Sequence, residues 1–353
     1  MKYTKLGNTN LSISRICLGT MTWGQQNTQT ESFEQMEYAL SQGVNFWDTA
    51  EMYAFPRTPE TYGKTEEIIG NWFQQSKKRD SIILASKCSP VGYIRNKPII
   101  SRENILEAVD GSLKRLKTDY IDLYQFHWPT NRPHYHFNLW WNFKPATSES
   151  KSQIIENIFE TLQTCDELVK AGKIKYIGLS NDSVWGVNQF ITIAEKYNLP
   201  RIQSLQNEYN LHRRRDETDI METCALEDIS YLAWSPLNMG VISGKYIKNQ
   251  RPIESRMSNK FLSNQNLKDM LAYRLAVKDE VTLEYLRIAQ KHNLDICQMA
   301  LAFTIRKPYM SSSIIGATSI KQLKTNIDAI NLELSDEVLA DIEKVRRKYP
   351  VPF

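Results

Sequence analysis

Short apolar runs alternate with amphipathic stretches along nearly the whole chain. The runs "RICLG", "VNFWDTA", "SIILASK", "YIDLYQFH", "KYIGLSN", "IQSLQNEY", "ISYLAWS" and "SSIIGAT" stay apolar or β-branched until their C-terminal ends. That is the pattern of strands buried on both faces. Between them, "SFEQMEYALSQG", "TEEIIGNWFQQS", "RENILEAVDGSLKRL" and "IIENIFETLQTCDELVKAG" keep a helical period, the last ending on a glycine in the capping place. Eight strands alternating with helices predict an all-parallel sheet covered by helices, closed as a (β/α)8 TIM barrel that occupies residues 1–353 as one domain. A doubly wound open sheet is the competing architecture, weakened by the absence of a G-x-G-x-x-G turn after the first strand. The opening "KYTKLGNTNLSISRI" predicts a hairpin turning at Gly7-Asn8.

Two segments break the rhythm: Pro129 to Ser152 after the fourth barrel strand, and about Lys245 to Leu267 after the seventh. Long loops in a compact domain are uncommon unless functional, and both would overhang the face where barrel active sites lie. The last helix, "SDEVLADIEKVRRKY", starts acidic and ends basic, as the helix dipole favours.

Composition narrows the class. Lys+Arg 44 against Asp+Glu 40 leaves +4, and the basic triplets Lys77-Lys78-Arg79, Arg213-Arg214-Arg215 and Arg346-Arg347-Lys348 read as solvated helix ends or loops. No nucleic-acid face is expected from this balance. No apolar run reaches membrane-spanning length, and the start lacks a signal-peptide core, so a cytoplasmic protein without a membrane partner is expected. Five scattered cysteines without a C-x-x-C pair fit reduced thiols. His134-Tyr135-His136 lacks the Cys or carboxylate neighbours of a metal site, so no metal is expected.

The chemistry stands at the strand ends. They carry Gly19-Thr20, Asp48, Lys87, His127, Ser180-Asn181, Gln206-Asn207, Ser235 and Gly316 to Thr318. In a (β/α)8 barrel those ends converge on one pocket, over which Tyr53 in the loop after Asp48 can lean. Singly, each residue has an ordinary role: a turn cap for Asp48, a core position for His127, half of a structural ion pair for Lys87. Together they form an acid-tuning chain. An ammonium beside a phenol favours the phenolate, a carboxylate holds the ammonium, and a neutral imidazole orients a carbonyl oxygen. Such a site protonates a carbonyl oxygen while hydride arrives at carbon, and hydride requires a nicotinamide cofactor.

With "DTAEMY", "ASK", "DYIDLYQFHWP", "GKIKYIGLSN", "QNEYN", "WSPLNMGVISGKY" and "IIGATSIKQLKTNI", the chain resembles an aldo-keto reductase from "SRICLGTMTWG" to "LSDEVLADIEKV". "GTMTWG", the stretch "EMYAFPRTPETYGKTEEIIGNW" and the long insertion are similar to the Tas-like bacterial branch. The resemblance implies Tyr53 as general acid, Lys87 and Asp48 as its tuning pair, and His127 as the orienting residue. It implies a substrate pocket shaped by Trp23, Trp128 and Tyr93. It implies NADPH held by Gly19, Thr20 and Met21, with Ser180, Asn181 and Gln206 on the carboxamide and Trp234 stacked on the ring. Ser235, Pro236, Leu237, Gly240 and Gly244 would wrap the pyrophosphate. Lys245 and Arg256 would meet the 2′-phosphate, since Gly316 and Gln322 stand where many members carry Lys and Arg; Gln322, Thr325 and Asn326 would hold the adenosine end. The expected activity is reduction of an aldehyde or small ketone by a monomer. Two rivals remain: an aldolase-like Schiff base on Lys87, and an NADPH-binding sensor or partner subunit with little turnover.

Overall fold

The computed structural model describes residues 1–97, 99–130, 150–253, 255–258 and 279–350. Strands β1 (Tyr3–Lys5) and β2 (Ser12–Ser14) form an antiparallel hairpin with Tyr3 opposite Ser14. Eight further strands are β3 (Ile16–Gly19), β4 (Phe46–Asp48), β5 (Ile83–Cys88), β6 (Ile121–Phe126), β7 (Ile174–Ser180), β8 (Ile202–Glu208), β9 (Ser230–Trp234) and β10 (Met310–Ile315). They close in the order β10-β3-β4-β5-β6-β7-β8-β9, every pair parallel. All eight predicted runs are therefore barrel strands, and the open sheet is excluded. None of the described helices is long and apolar enough to cross a membrane.

Strand side chains alternate between faces. Cys17, Phe46, Ala85, Leu123, Leu232 and Ile314 form one apolar cluster with Leu6 and Ile13 of the hairpin region. This cluster fills the barrel interior near the strand starts. The hairpin is fastened there by Gly7 N donating to Ser230 Oγ (2.8 Å) and Ser14 N donating to Asn45 Oδ1 (2.8 Å). Two residues further along the same faces come Asp48, Lys87, Gln125 and Trp234. The interior thus turns from apolar to polar in one step of the strand period, and the site begins there.

The opposite faces pack beneath the helices. These are α1 (Gln29–Ser41), α2 (Lys64–Ser76), α3 (Arg102–Leu116), α4 (Lys151–Lys170), α5 (Val184–Tyr197), α6 (Ile220–Leu226), α7 (Asp279–Lys291), α8 (Ile296–Ile305), α9 (Ile320–Asp328) and α10 (Asp336–Lys348). Helix α1 starts with a capping box between Thr28 and Glu31. Gly172, with φ +72°, follows α4 as expected of a C-terminal glycine. Most of the first predicted long loop, with His134, His136, Trp140 and Trp141, lies outside the described residues, as does the second beyond Ser258.

Helices α2 and α3 approach most closely at Gly70, where an added Cβ would stand 2.2 Å from the carbonyl oxygen of Arg115 and 2.8 Å from the carbonyl carbon of Leu116. Ala is the better helix former by ~1 kcal/mol, but overpacking against fixed backbone costs ~1–3 kcal/mol. Gly70→Ala is therefore expected to lower the urea midpoint; an unchanged or raised midpoint would show that the two helices can part without cost.

Candidate active site

The C-terminal ends of β4, β5 and β6 bring Asp48, Lys87 and His127 together, and the loop after β4 lays Tyr53 above them. Lys87 is fully buried. Its Nζ donates to Asp48 Oδ2 at 2.6 Å and to the Thr49 carbonyl at 2.8 Å, and lies 5.2 Å from the centre of the Tyr53 ring. The second carboxylate oxygen, Asp48 Oδ1, accepts from Gln206 Nε2 (2.8 Å) and Gln125 Nε2 (3.2 Å). Gln206 also donates to Gln125 Oε1 at 3.1 Å. Burial works against the Lys87 ammonium, but the charge of Asp48 and the nearby phenol outweigh it, so the pKa rises and Lys87 stays protonated.

Tyr53 is buried, and this loss of solvent pushes its phenol upward more than Lys87 pulls it down; Asp48 adds to the rise. The net direction is upward. The expectation from sequence, that the ammonium brings the phenol down, holds for the sign of the Lys87 contribution but not for the sum. The phenol is thus held neutral, with the Lys87 cation beneath its ring. A protonated, ion-paired Lys87 is also a poor nucleophile, which removes the physical basis of the Schiff-base alternative.

His127 meets Tyr53 edge to face, ring centres 5.8 Å apart at 78°. Its Nδ1 is 2.8 Å from Ser89 Oγ, and its backbone carbonyl accepts from Asn181 Nδ2 at 2.9 Å, so both ring and backbone are held. Ser89 is in turn fixed by its N–H, which donates to Glu51 Oε1 at 2.6 Å. Glu51 is fully buried and takes a bidentate contact from Arg95, Nη1 to Oε1 at 2.9 Å and Nη2 to Oε2 at 2.8 Å. One carboxylate thus ties the Tyr53 loop to the residues after β5 that position His127. Glu51, Ser89, Arg95 and Gln125 were not singled out from sequence. A signal existed for two of them: Glu51 is a carboxylate inside an otherwise apolar "AEMY", and Gln125 shares the inward face of Leu123.

A cavity of about 780 Å³ opens above this cluster. Asp48, Tyr53 and His127 line it, while Lys87 sits behind the wall. The lining also includes Gly19, Thr20 and Met21 at the end of β3; Ser180 and Asn181 at the end of β7; Gln206 on β8; Trp234, Ser235, Pro236, Leu237, Gly240, Lys245 and Arg256 from β9 onward; and Gly316, Gln322, Thr325 and Asn326 beyond β10. Asn181 anchors this side, donating to Ser180 Oγ at 3.0 Å and accepting from Trp234 Nε1 at 3.2 Å. The turn after β9 is tight: Ser235, Asn238, Met239 and Gly240 have φ of 55°, 48°, 56° and 91°. Its backbone closes on itself, Asn238 N donating to the Ser235 carbonyl (2.8 Å), Met239 N to Ser235 Oγ (2.8 Å) and Gly240 N to the Leu237 carbonyl (2.9 Å). Ser319 caps α9, and Lys321 in its first turn lines the same end. Lys321 went unnoticed because a lysine in a polar helix has an ordinary solvated reading.

Four predicted residues stand elsewhere. Trp23 is fully buried beneath α1, its Nε1 donating to Gln35 Oε1 at 3.1 Å, because a turn at Thr20 folds the chain back onto the helix layer. Gly244 makes a turn against α7, where a Cβ would meet Leu286 Cδ1 at 2.8 Å. Trp128 packs with Tyr53, Ala50, Met52 and Val91 behind the cavity wall. Tyr93 lies outside the wall, about a third exposed. The wall beside Tyr53 is instead Met52, Phe55, Pro56 and Arg57.

Removing Glu51 would leave the buried Arg95 guanidinium facing Glu107, an exposed acid 3.6 Å from its Nε, and breaking a buried pair costs ~3–5 kcal/mol. Glu51→Ala is expected to lower thermal stability by that order, whereas loss near zero in denaturant titration would mean that Arg95 finds water in its place.

The sequence matches known proteins over nearly its whole length. The family model described as the aldo/keto reductase family covers residues 15–347. Protein tas of Escherichia coli (strain K12) is 40% identical over 361 residues, spanning 100% of this chain and 99% of its own length. An uncharacterized oxidoreductase, YrpG, of Bacillus subtilis (strain 168) is 31% identical over 96% of the chain and 94% of its own length. A probable voltage-gated potassium channel subunit beta of Oryza sativa subsp. japonica is 29% identical over 99% of the chain and 98% of its own length. Matched from end to end, the chain belongs to the aldo/keto reductase family, in its Tas-like branch, and is an oxidoreductase.

Proposed function

We propose that the protein reduces an aldehyde or small ketone to the alcohol with NADPH, in the cytoplasm, where its cysteines remain thiols. The observation that carries this reading is the buried Lys87–Asp48 pair beneath a neutral Tyr53, opening into a cavity that also offers amide and cationic groups. When bound, the nicotinamide supplies hydride to the carbonyl carbon. Tyr53 donates its proton to the carbonyl oxygen. Lys87, kept charged by Asp48, stabilises the phenolate that remains, at a distance and burial where a charge acts strongly. His127, fixed by Ser89, orients the carbonyl oxygen toward the phenol.

The residues present fit the cofactor. Ser180, Asn181 and Gln206 offer amide and hydroxyl groups for a carboxamide, and Trp234 offers a flat face beside them. Ser235 and Gly240 keep the cavity-lining turn after β9 small, so a pyrophosphate can lie close to its backbone. Lys245, Arg256 and Lys321 line the cavity and provide cations for a 2′-phosphate, which favours NADPH over NADH; the Arg256 charge also acts on the Tyr53 phenol, favouring its ionised form. Gln322, Thr325 and Asn326 remain for the adenosine end.

A second reading rests on the rice relative, whose name makes it a channel subunit: an NADPH-binding sensor or partner with little turnover. Both readings require cofactor binding, and only the first requires sustained reduction.

Tyr53→Phe should keep NADPH affinity while lowering kcat/KM for aldehydes by ~10²–10⁴-fold, the usual worth of a positioned acid. Substantial residual reduction by this variant would sink the assignment. Wild-type reduction should be flat through neutral pH and fall only as pH rises through the Tyr53 pKa, above the ordinary 10.0 in the free enzyme, because the deprotonated phenol has no proton to give. Loss of rate near neutrality would point to a different donor. Replacing Lys245 and Arg256 together by Ala should raise the Kd for NADPH by roughly 100-fold or more, as each lost charge-assisted bond is worth ~1.5–3 kcal/mol. Fluorescence titration showing equal losses for NADPH and NADH would remove these residues from the 2′-phosphate.

A further inference from the structure

The cavity has a cation that neither the cofactor nor the proton chain uses. Arg57 lies on the loop that carries Tyr53 and lines the cavity beside Met52, Phe55 and Pro56. It is exposed at the mouth. Its guanidinium stands 5.8 Å from the Trp128 ring, and the Trp128 and His127 rings are 4.8 Å apart. Arg57 is thus about one indole away from the imidazole that would orient a carbonyl. Among the described residues it makes no ion pair with a carboxylate; Glu60, the acid on the same loop, is engaged with Thr58. The other cavity carboxylates are occupied as well: Asp48 holds Lys87, and Asp295 caps α8 by accepting from Gln298 N.

We propose that Arg57 selects carbonyl substrates that carry an anionic group, a carboxylate or a phosphate, with the carbonyl at Tyr53 and the anion at the guanidinium. This rests on the reductase reading of the same site. The cavity residues next to these two on the same loop, Met52, Phe55 and Pro56, are apolar, which suits a short carbon skeleton, aliphatic or aromatic. A guanidinium presents a fork of donors that matches a carboxylate or phosphate bidentately, and stacking on Trp128 holds it without neutralising it. Its place at the mouth also draws anions inward, an effect that salt weakens.

The test compares matched pairs with NADPH: succinic semialdehyde against butyraldehyde, para-carboxybenzaldehyde against benzaldehyde, and glyceraldehyde phosphate against glyceraldehyde. The expected result is a kcat/KM ratio of about tenfold or more in favour of the charged member, corresponding to ~1.4 kcal/mol. The first two pairs report a carboxylate and the third a phosphate. The ratio should fall toward one in Arg57→Ala, through KM more than kcat, fall further in Arg57→Glu, and be largely restored in Arg57→Lys. Raising ionic strength should shrink it in the wild type and in Arg57→Lys and leave it unchanged in Arg57→Ala. Turnover of both members with the same ratio in wild type and Arg57→Ala would overturn this inference and leave the reductase reading intact. Tight NADPH binding with turnover of none of these aldehydes would overturn both.

Discussion

A lysine ammonium sealed inside a barrel is expensive. Isolated from water, such a charge would lose its proton or unfold its surroundings, so its presence constrains everything near it. Lys87 is satisfied by Asp48 at 2.6 Å and the Thr49 carbonyl at 2.8 Å, and Asp48 is satisfied in turn by Gln206 and Gln125. These groups come from β4, β5, β6 and β8. Their meeting depends on register: Lys87 is paired with Gln125, and Asp48 with Ala85. A slip of one residue in any of these strands would turn its polar residue outward and leave an uncompensated charge within. Barrel closure and the proposed chemistry therefore rest on one constraint.

Around that pair the protein repeats the same device to hold its loops. Glu51 with Arg95 joins the Tyr53 loop to the segment after β5. On the outer face of β5, Ser86 Oγ donates to the buried Glu66 Oε1 at 2.6 Å, and Arg115 Nε donates to Glu66 Oε2 at 2.7 Å, linking α2 and α3 to the strand between them. Buried pairs of this kind add little net stability over apolar packing, but each is costly to break. Their value here is geometric. Tyr53 stands on a loop, and a proton donor placed loosely by about 1 Å can lose much of its rate; the carboxylate two residues before it anchors that loop to the barrel.

Most of the fold was legible because strands buried on both faces leave continuous apolar runs, and each run's end shows where polarity begins. The same reading placed Asp48, Lys87 and His127 together, since barrel closure makes strand ends converge. What it missed depends on contacts between distant segments. Trp23 reads as a mouth aromatic until the turn at Thr20 sends it beneath α1. Ser89 and Arg95 have no local signature, because their roles exist only once Glu51 reaches them across 38 and 44 residues. Arg57 and Lys321 look like ordinary surface charges in sequence, and only the cavity gives them a direction. The sum of burial and charge on Tyr53 was likewise beyond sequence, which gives the sign of each neighbour but not how much water is lost.

In the proposed chemistry Lys87 acts through charge on the Tyr53 phenol rather than merely filling the barrel. The most direct measurement is single-turnover oxidation of bound NADPH on mixing with an aldehyde, in the wild type and in Lys87→Met, with cofactor affinity and circular dichroism recorded for both. The account predicts that the variant folds and binds NADPH but oxidises it at least ~100-fold more slowly, as expected when a positioned acid loses its tuning. A variant that oxidises bound NADPH within a few-fold of the wild-type rate would contradict it.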